Sequence, residues 1–174
     1  MDASTSKVKS SFGSLSWLWL TVVVVIVDLA TKYVADTQLN YGDPHTLLPI
    51  LDMTLLYNTG AAFSFLAQAA GWQRWLFVLI AAVVSVMLTM WLKRTDKEQW
   101  WLGLGLSLIL GGALGNLYDR IVQGYVVDFI SVHYESYYFP AFNFADTAIT
   151  IGAALLIIDM VFLEKQRDPE PASK

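Results

Sequence analysis

Four stretches of this chain are too long and too apolar for ordinary elements of a water-soluble domain. A helix needs about 20 mostly apolar residues to cross the roughly 30 Å hydrocarbon layer of a bilayer. Residues 15–35, 75–92, 100–118 and 145–163 reach or nearly reach that length. The second and third carry no charge, and the fourth is interrupted by Asp146 and Asp159. Inside hydrocarbon each backbone N–H and C=O must be paired within its own segment, so spanning helices are the expected form. The first stretch is long, and no small-x-small cleavage site directly follows it, so it reads as a retained helix. The expected architecture is an α-helical membrane protein with four transmembrane helices over 15–166, between polar tails at 1–14 and 167–174.

Charge sets the topology. Lys7, Lys9, Lys93, Arg94, Lys97, Lys165, Arg167 and Lys174 all fall on one side of such a bundle, eight of the eleven positive residues. The loop from 36 to 71 has no Lys or Arg, and the loop from 119 to 144 has only Arg120. By the positive-inside rule both termini are cytoplasmic and both long loops share the opposite compartment. A net charge of −4 gives no reason to expect a nucleic-acid partner. The absence of cysteine excludes disulfides, thiolate zinc sites and a cysteine nucleophile. Only His45 and His133 are present, too few for a histidine-rich metal site. No internal repeat supports an inverted-repeat transporter.

The outer loops are too apolar for simple connectors. Residues 53–57 read as a short strand closed by Asn58-Thr59-Gly60, and residues 40–44 as a turn. Residues 61–70 are small and apolar and suit a short helix lying on the membrane surface. Residues 125–134 are rich in β-branched and aromatic side chains. Period-2 alternation there puts Val126, Asp128, Ile130 and Val132 on one face. Strands from the two loops are expected to pair into a small extramembrane sheet.

Ionisable groups near hydrocarbon are costly, which makes each a candidate for function. Asp28 and Lys32 stand i, i+4 at the outer end of the first span, suited to a structural ion pair or to contact with a substrate. In the third span Gly111 and Gly115 form a small-xxx-small pair, read as close helix packing. That span runs into Asn116, Asp119 and Arg120. Arg120 suits either clamping a backbone carbonyl or neutralising Asp119 and nearby acids. Asn143 and Asp146 stand at the N-cap and N3 positions of the fourth span, a capping arrangement. Asp159 is expected to reach the interface. Asp36, Asp43, Asp52, Asp96 and Glu135 are expected to be solvated in loops.

Asp128, in an apolar strand, and Asp146, at the outer mouth of a helix, stand apart from the rest. Together they could form a carboxylate dyad sharing one proton, because two close carboxylates do not both ionise easily. The ionised member would take a proton from water and the protonated member would donate to a scissile carbonyl.

Five stretches resemble, in order, the motifs of the bacterial lipoprotein signal peptidase (signal peptidase II) family. They are Asp28-Leu29-Ala30-Thr31-Lys32, Asn58-Thr59-Gly60-Ala61-Ala62-Phe63-Ser64, Gly111-Gly112-Ala113-Leu114-Gly115-Asn116-Leu117-Tyr118-Asp119-Arg120, Val127-Asp128-Phe129 and Phe142-Asn143-Phe144-Ala145-Asp146. The resemblance implies an aspartic endopeptidase of the bacterial inner membrane, with its active site at the periplasmic face. It implies cleavage of prolipoproteins before a diacylglyceryl-modified cysteine, by a monomer among membrane lipids, without metal or organic cofactor. Carried over residue by residue, Asp128 and Asp146 are the catalytic pair. Asn58, Asn116, Arg120 and Asn143 bind substrate, and Asp28, Lys32 and Asp119 support them. The resemblance also implies a small sheet cradle and a short surface helix over the site.

Two other classes fit the same acids: a proton- or ion-coupled carrier, and a non-enzymatic membrane assembly protein. The uncharged second and third spans weigh against a carrier path. A serine intramembrane protease lacks a histidine base in any span. A zinc protease lacks the paired-histidine motif.

Overall fold

All four apolar stretches are helices, and three of them extend beyond their hydrophobic cores. A computed structural model describes residues 13–60 and 71–163. A turn at Leu15–Trp17 leads into α1 (Leu18–Gln38), followed by α2 (Trp72–Arg94), α3 (Trp100–Val122) and α4 (Phe144–Ile158). A wider helical turn, Asp159–Leu163, continues α4. Each is long and apolar enough to cross a membrane. The C-terminal ends of α1 and α3 stay helical through Lys32, Asn116, Asp119 and Arg120, because those polar groups find partners within the bundle.

α3 is the most buried helix and packs on α1, α2 and α4. Its glycines make that possible. A methyl group on Gly111 would collide with Val24 of α1, and one on Gly112 with the Ala145 carbonyl of α4. On Gly115 it would strike the Asp28 carboxylate. Small residues bring helix backbones close where the bilayer offers no hydrophobic drive for association. Toward the turn between α2 and α3, Leu88, Leu92, Leu102, Leu106 and Leu110 form an apolar core. The exposed apolar faces, such as Leu79, Val83 and Met87 of α2, are those a bilayer would cover.

The α1–α2 and α3–α4 connections supply an antiparallel sheet in the order β1 (His45–Leu48), β2 (Leu51–Asn58), β3 (Val126–Tyr134), β4 (Tyr137–Tyr138). β2 and β3 pair Met53 with Ile130 and Leu56 with Asp128, so β2 carries one extra residue between them. Such a bulge re-aims side chains locally. Phe142, just before α4, is clipped to β3: its N–H donates to the Ile130 carbonyl at 3.0 Å, and its carbonyl accepts from Ile130 at 2.9 Å. That clip sets the start of α4 beside the middle of β3.

Several expectations need correction. β1 and β4 were not expected from the sequence. Asp52 is not solvated: it is 3% exposed on β2, with Oδ2 3.3 Å from His133 Nε2, and Tyr138 stacks on that imidazole. Asp159 is buried rather than reaching an interface. The helix expected over 61–70 and the tail boundaries expected at 14 and 166 fall wholly or partly outside the described residues.

Candidate active site

Three asparagines organise the site, and for each one a neighbour of fixed polarity decides which way the amide points. Asn58 closes β2. Its Oδ1 accepts from the Gly60 N–H at 2.8 Å, so its amide nitrogen turns to Asp128 Oδ2 at 2.9 Å. Gly60 has a φ of 86° and lies against the Phe77 ring, a turn only glycine adopts without strain. Asn143 caps α4. Its Oδ1 accepts from the Asp146 N–H at 3.0 Å, so its amide nitrogen faces Asp128 Oδ1 at 2.7 Å. Asn116 lies in the last two turns of α3. The Lys32 ammonium, which can only donate, takes its Oδ1 at 2.8 Å, and its amide nitrogen therefore meets Asp146 Oδ1 at 2.8 Å.

Asp128 and Asp146 thus meet in one network. Asn143 touches both: its side chain donates to Asp128, and its backbone N–H donates to Asp146 Oδ2 at 3.2 Å. This completes the capping box anticipated for α4. Asp146 also stands in the first turn of that helix. Asp128 is 3% exposed, and burial is the largest influence on it. Burial and the nearby Asp146 raise its pKa from 3.8 to about 6, against the lowering effect of the Asn58 and Asn143 hydrogen bonds.

Beneath the acids lies a buried charge cluster. Lys32 Nζ lies 2.8 Å from Asp28 Oδ2 and 2.9 Å from Asp119 Oδ2. Asp28 Oδ1 accepts the Ala145 N–H of α4 at 2.9 Å, and Asp119 Oδ2 accepts the Val127 N–H of β3 at 3.4 Å. One lysine therefore ties α1, α3, α4 and β3 together, and the ion pair foreseen between Asp28 and Lys32 is a hub. The partner of Asp119 is Lys32 and not Arg120. Among the described residues no carboxylate lies within ion-pair distance of Arg120. Its Nη1 donates to the Asn116 carbonyl at 3.2 Å, and its guanidinium lies 5.2 Å over the Phe77 ring. Asp128 and Asp146 are within electrostatic reach of its charge.

The nine residues assigned to the site by the resemblance converge on this one end of the bundle. Arg74 was missed, because the second span was read from residue 75 onward. Its fork donates to the carbonyls of Arg120 at 2.6 Å and Ile121 at 2.7 Å. A cation just ahead of an apolar run was the available signal. Among the described residues no cluster of three or more acidic or imidazole groups is arranged to hold a metal ion.

Fold and site together define a multi-pass membrane protein whose polar residues gather around two carboxylates at one end of a four-helix bundle. Residues 20–162 match the family described as Signal peptidase (SPase) II. The lipoprotein signal peptidase of Pseudomonas putida is 56% identical over 160 residues, covering 91% of this chain and 94% of that protein. The lipoprotein signal peptidase of Acinetobacter baumannii is 56% identical over 154 residues, 88% of each chain. A bacterial membrane enzyme solved by the in meso method at 1.9 Å is 32% identical, with a TM-score of 0.77 over 88% of this chain and 98% of the other. Another, at 2.3 Å, is 30% identical, with a TM-score of 0.78 over 96% and 100%. The chain belongs to the signal peptidase II family of bacterial membrane proteases. The carrier and assembly readings have no comparable support.

Proposed function

We propose that the protein is an aspartic endopeptidase that removes the signal peptide of prolipoproteins, cutting before a cysteine that bears diacylglycerol. The observation that carries this reading is the Asn143 bridge, which places Asp128 and Asp146 on a single hydrogen-bond network. The two acids share one proton, so that one member of the pair is protonated while the other is the ionised base. The ionised member takes a proton from water as the water oxygen attacks the scissile carbonyl carbon, and the protonated member gives its proton to the carbonyl oxygen. The tetrahedral adduct then collapses. As the C–N bond breaks, the first carboxyl passes its proton to the leaving amine and the second recovers one from a hydroxyl of the adduct, so the signal peptide departs with a new carboxyl group and the pair is restored.

Asn58, Asn116, Arg120 and Asn143 hold the extended peptide beside the acids. Asp28, Lys32 and Asp119 support them from beneath. Positioning of this kind supplies a large part of the rate. The acyl chains of the substrate stay among membrane lipids. The chain works as a monomer, with 15–166 as the peptidase domain, in the inner membrane with cytoplasmic termini and a periplasmic site. In support, every polar group of the network comes from one chain. The deciding experiment is cleavage of a precursor by purified protein, with and without prior lipid modification of its cysteine. Asp128→Asn and Asp146→Asn are each expected to abolish cleavage while the protein still inserts. Normal turnover by either variant overturns the dyad.

A further inference from the structure

We propose that Arg74 is a positioning residue for this reaction, acting through the end of α3 on Arg120; the inference rests on the peptidase reading above. The last carbonyls of a helix have no partners within it. At the end of α3 the Asp119 carbonyl is taken by the Gln123 and Gly124 N–H groups at 2.7 and 3.1 Å. The Arg120 and Ile121 carbonyls are taken by Arg74, whose Nε and Nη2 donate at 2.6 and 2.7 Å. A guanidinium suits this place twice over. Its fork meets two carbonyls at once, and its charge opposes the negative end of the helix dipole.

The grip is local to the residue that matters. Arg74 holds the backbone of Arg120. Phe77, one helical turn along α2 on the same face, lies under the Arg120 guanidinium at 5.2 Å. The Phe77 ring also fills the space a side chain on Gly60 would need, in the turn that aims Asn58 at Asp128. The first turns of α2 therefore determine where two proposed substrate-binding groups stand, although α2 contributes no residue to the carboxylate network. Arg120 has no ion-pair partner among the described residues to hold it otherwise.

A double-mutant cycle on the purified protein tests this, with a lipid-modified precursor as substrate. Arg74→Lys keeps the charge and one hydrogen bond but loses the fork. It is expected to raise KM about tenfold with kcat within about twofold, the pattern of lost substrate holding. In an Arg120→Ala background the same substitution is expected to change kcat/KM less than about twofold, since the group it positions is gone. Equal losses in both backgrounds, or no loss in either, overturn the proposal. Should Arg74→Lys fail to fold, Arg74→Gln, which keeps a donor at the same position without the charge or the fork, replaces it in the cycle with the same expectations. An unaltered protein that cleaves no lipidated precursor defeats the peptidase reading itself, a different result from a cycle that shows no coupling.

Discussion

At the scale of the residue, the site is a problem of orientation. An asparagine amide is nearly symmetric in shape, and only its neighbours decide which end carries the donors. Here the Gly60 N–H, the Lys32 ammonium and the Asp146 N–H each claim an oxygen, and three amide nitrogens are left for the two acids. Asp128 accepts two of them yet keeps a pKa of about 6, because burial outweighs the hydrogen bonds. The sign of the consequence follows from proton binding. Between 3.8 and about 6 the folded protein retains a proton that the unfolded chain has released. Stability from this group is therefore greatest in acid and falls as pH rises through that window. The full shift corresponds to about 3 kcal/mol lost by neutral pH. Asp128→Asn is accordingly expected to melt higher than the parent at neutral pH, by about 1–2 kcal/mol after loss of one hydrogen bond. That gain shrinks as pH falls toward about 4. Melting curves in mild detergent measure it, and a lower melting point at neutral pH contradicts it.

At the scale of the element, α3 is the part on which the others are hung. Its glycine face lets α1 and α4 approach closely enough for Asp28 to reach the α4 backbone and for Lys32 to reach Asn116. Gly115→Ala would drive a methyl into the Asp28 carboxylate. The expected cost is about 1–3 kcal/mol of stability, typical of an overpacked contact. Gly103→Ala is a control, since its methyl would meet the Trp17 ring at the opposite end. Both variants are expected to melt lower, and only Gly115→Ala to lose cleavage beyond what its melting point explains. Parallel melting and precursor-cleavage assays decide it, and equal behaviour of the two counts against the glycine face as a positioning device.

Much at this scale was legible in the chain. β3 and the capping of α4 announced themselves by local pattern. Asp52 did not, since its partner His133 lies on another strand and nothing near Asp52 in sequence implies burial. β4 has two residues, too few for a period to show. The switch of Asp119 from Arg120 to Lys32 was equally hidden, because adjacent residues on a helix point to different neighbours.

At the scale of the whole molecule, the distribution of Lys and Arg makes a prediction independent of catalysis. The chain has no cysteine, so a single introduced thiol reports its own surroundings. Ser136→Cys, exposed beyond β3, is expected to react with a membrane-impermeant maleimide from the periplasmic side of intact cells. Asp96→Cys, exposed between α2 and α3, is expected to react only after lysis. The reverse pattern inverts the topology.

Hydropathy and charge act residue by residue, so the amino-acid order alone determined that four helices form, how unevenly the basic residues divide between their loops and which acids stand in unfavourable surroundings. Which of those groups touch was decided only by packing. A hydrogen bond needs its partners within about 3 Å, and here they come from helices and strands far apart along the chain. Lys32 beneath Asn116, Asn143 between two carboxylates and Arg74 on the end of α3 exist only once glycine contacts and the Phe142 clip have brought those elements together.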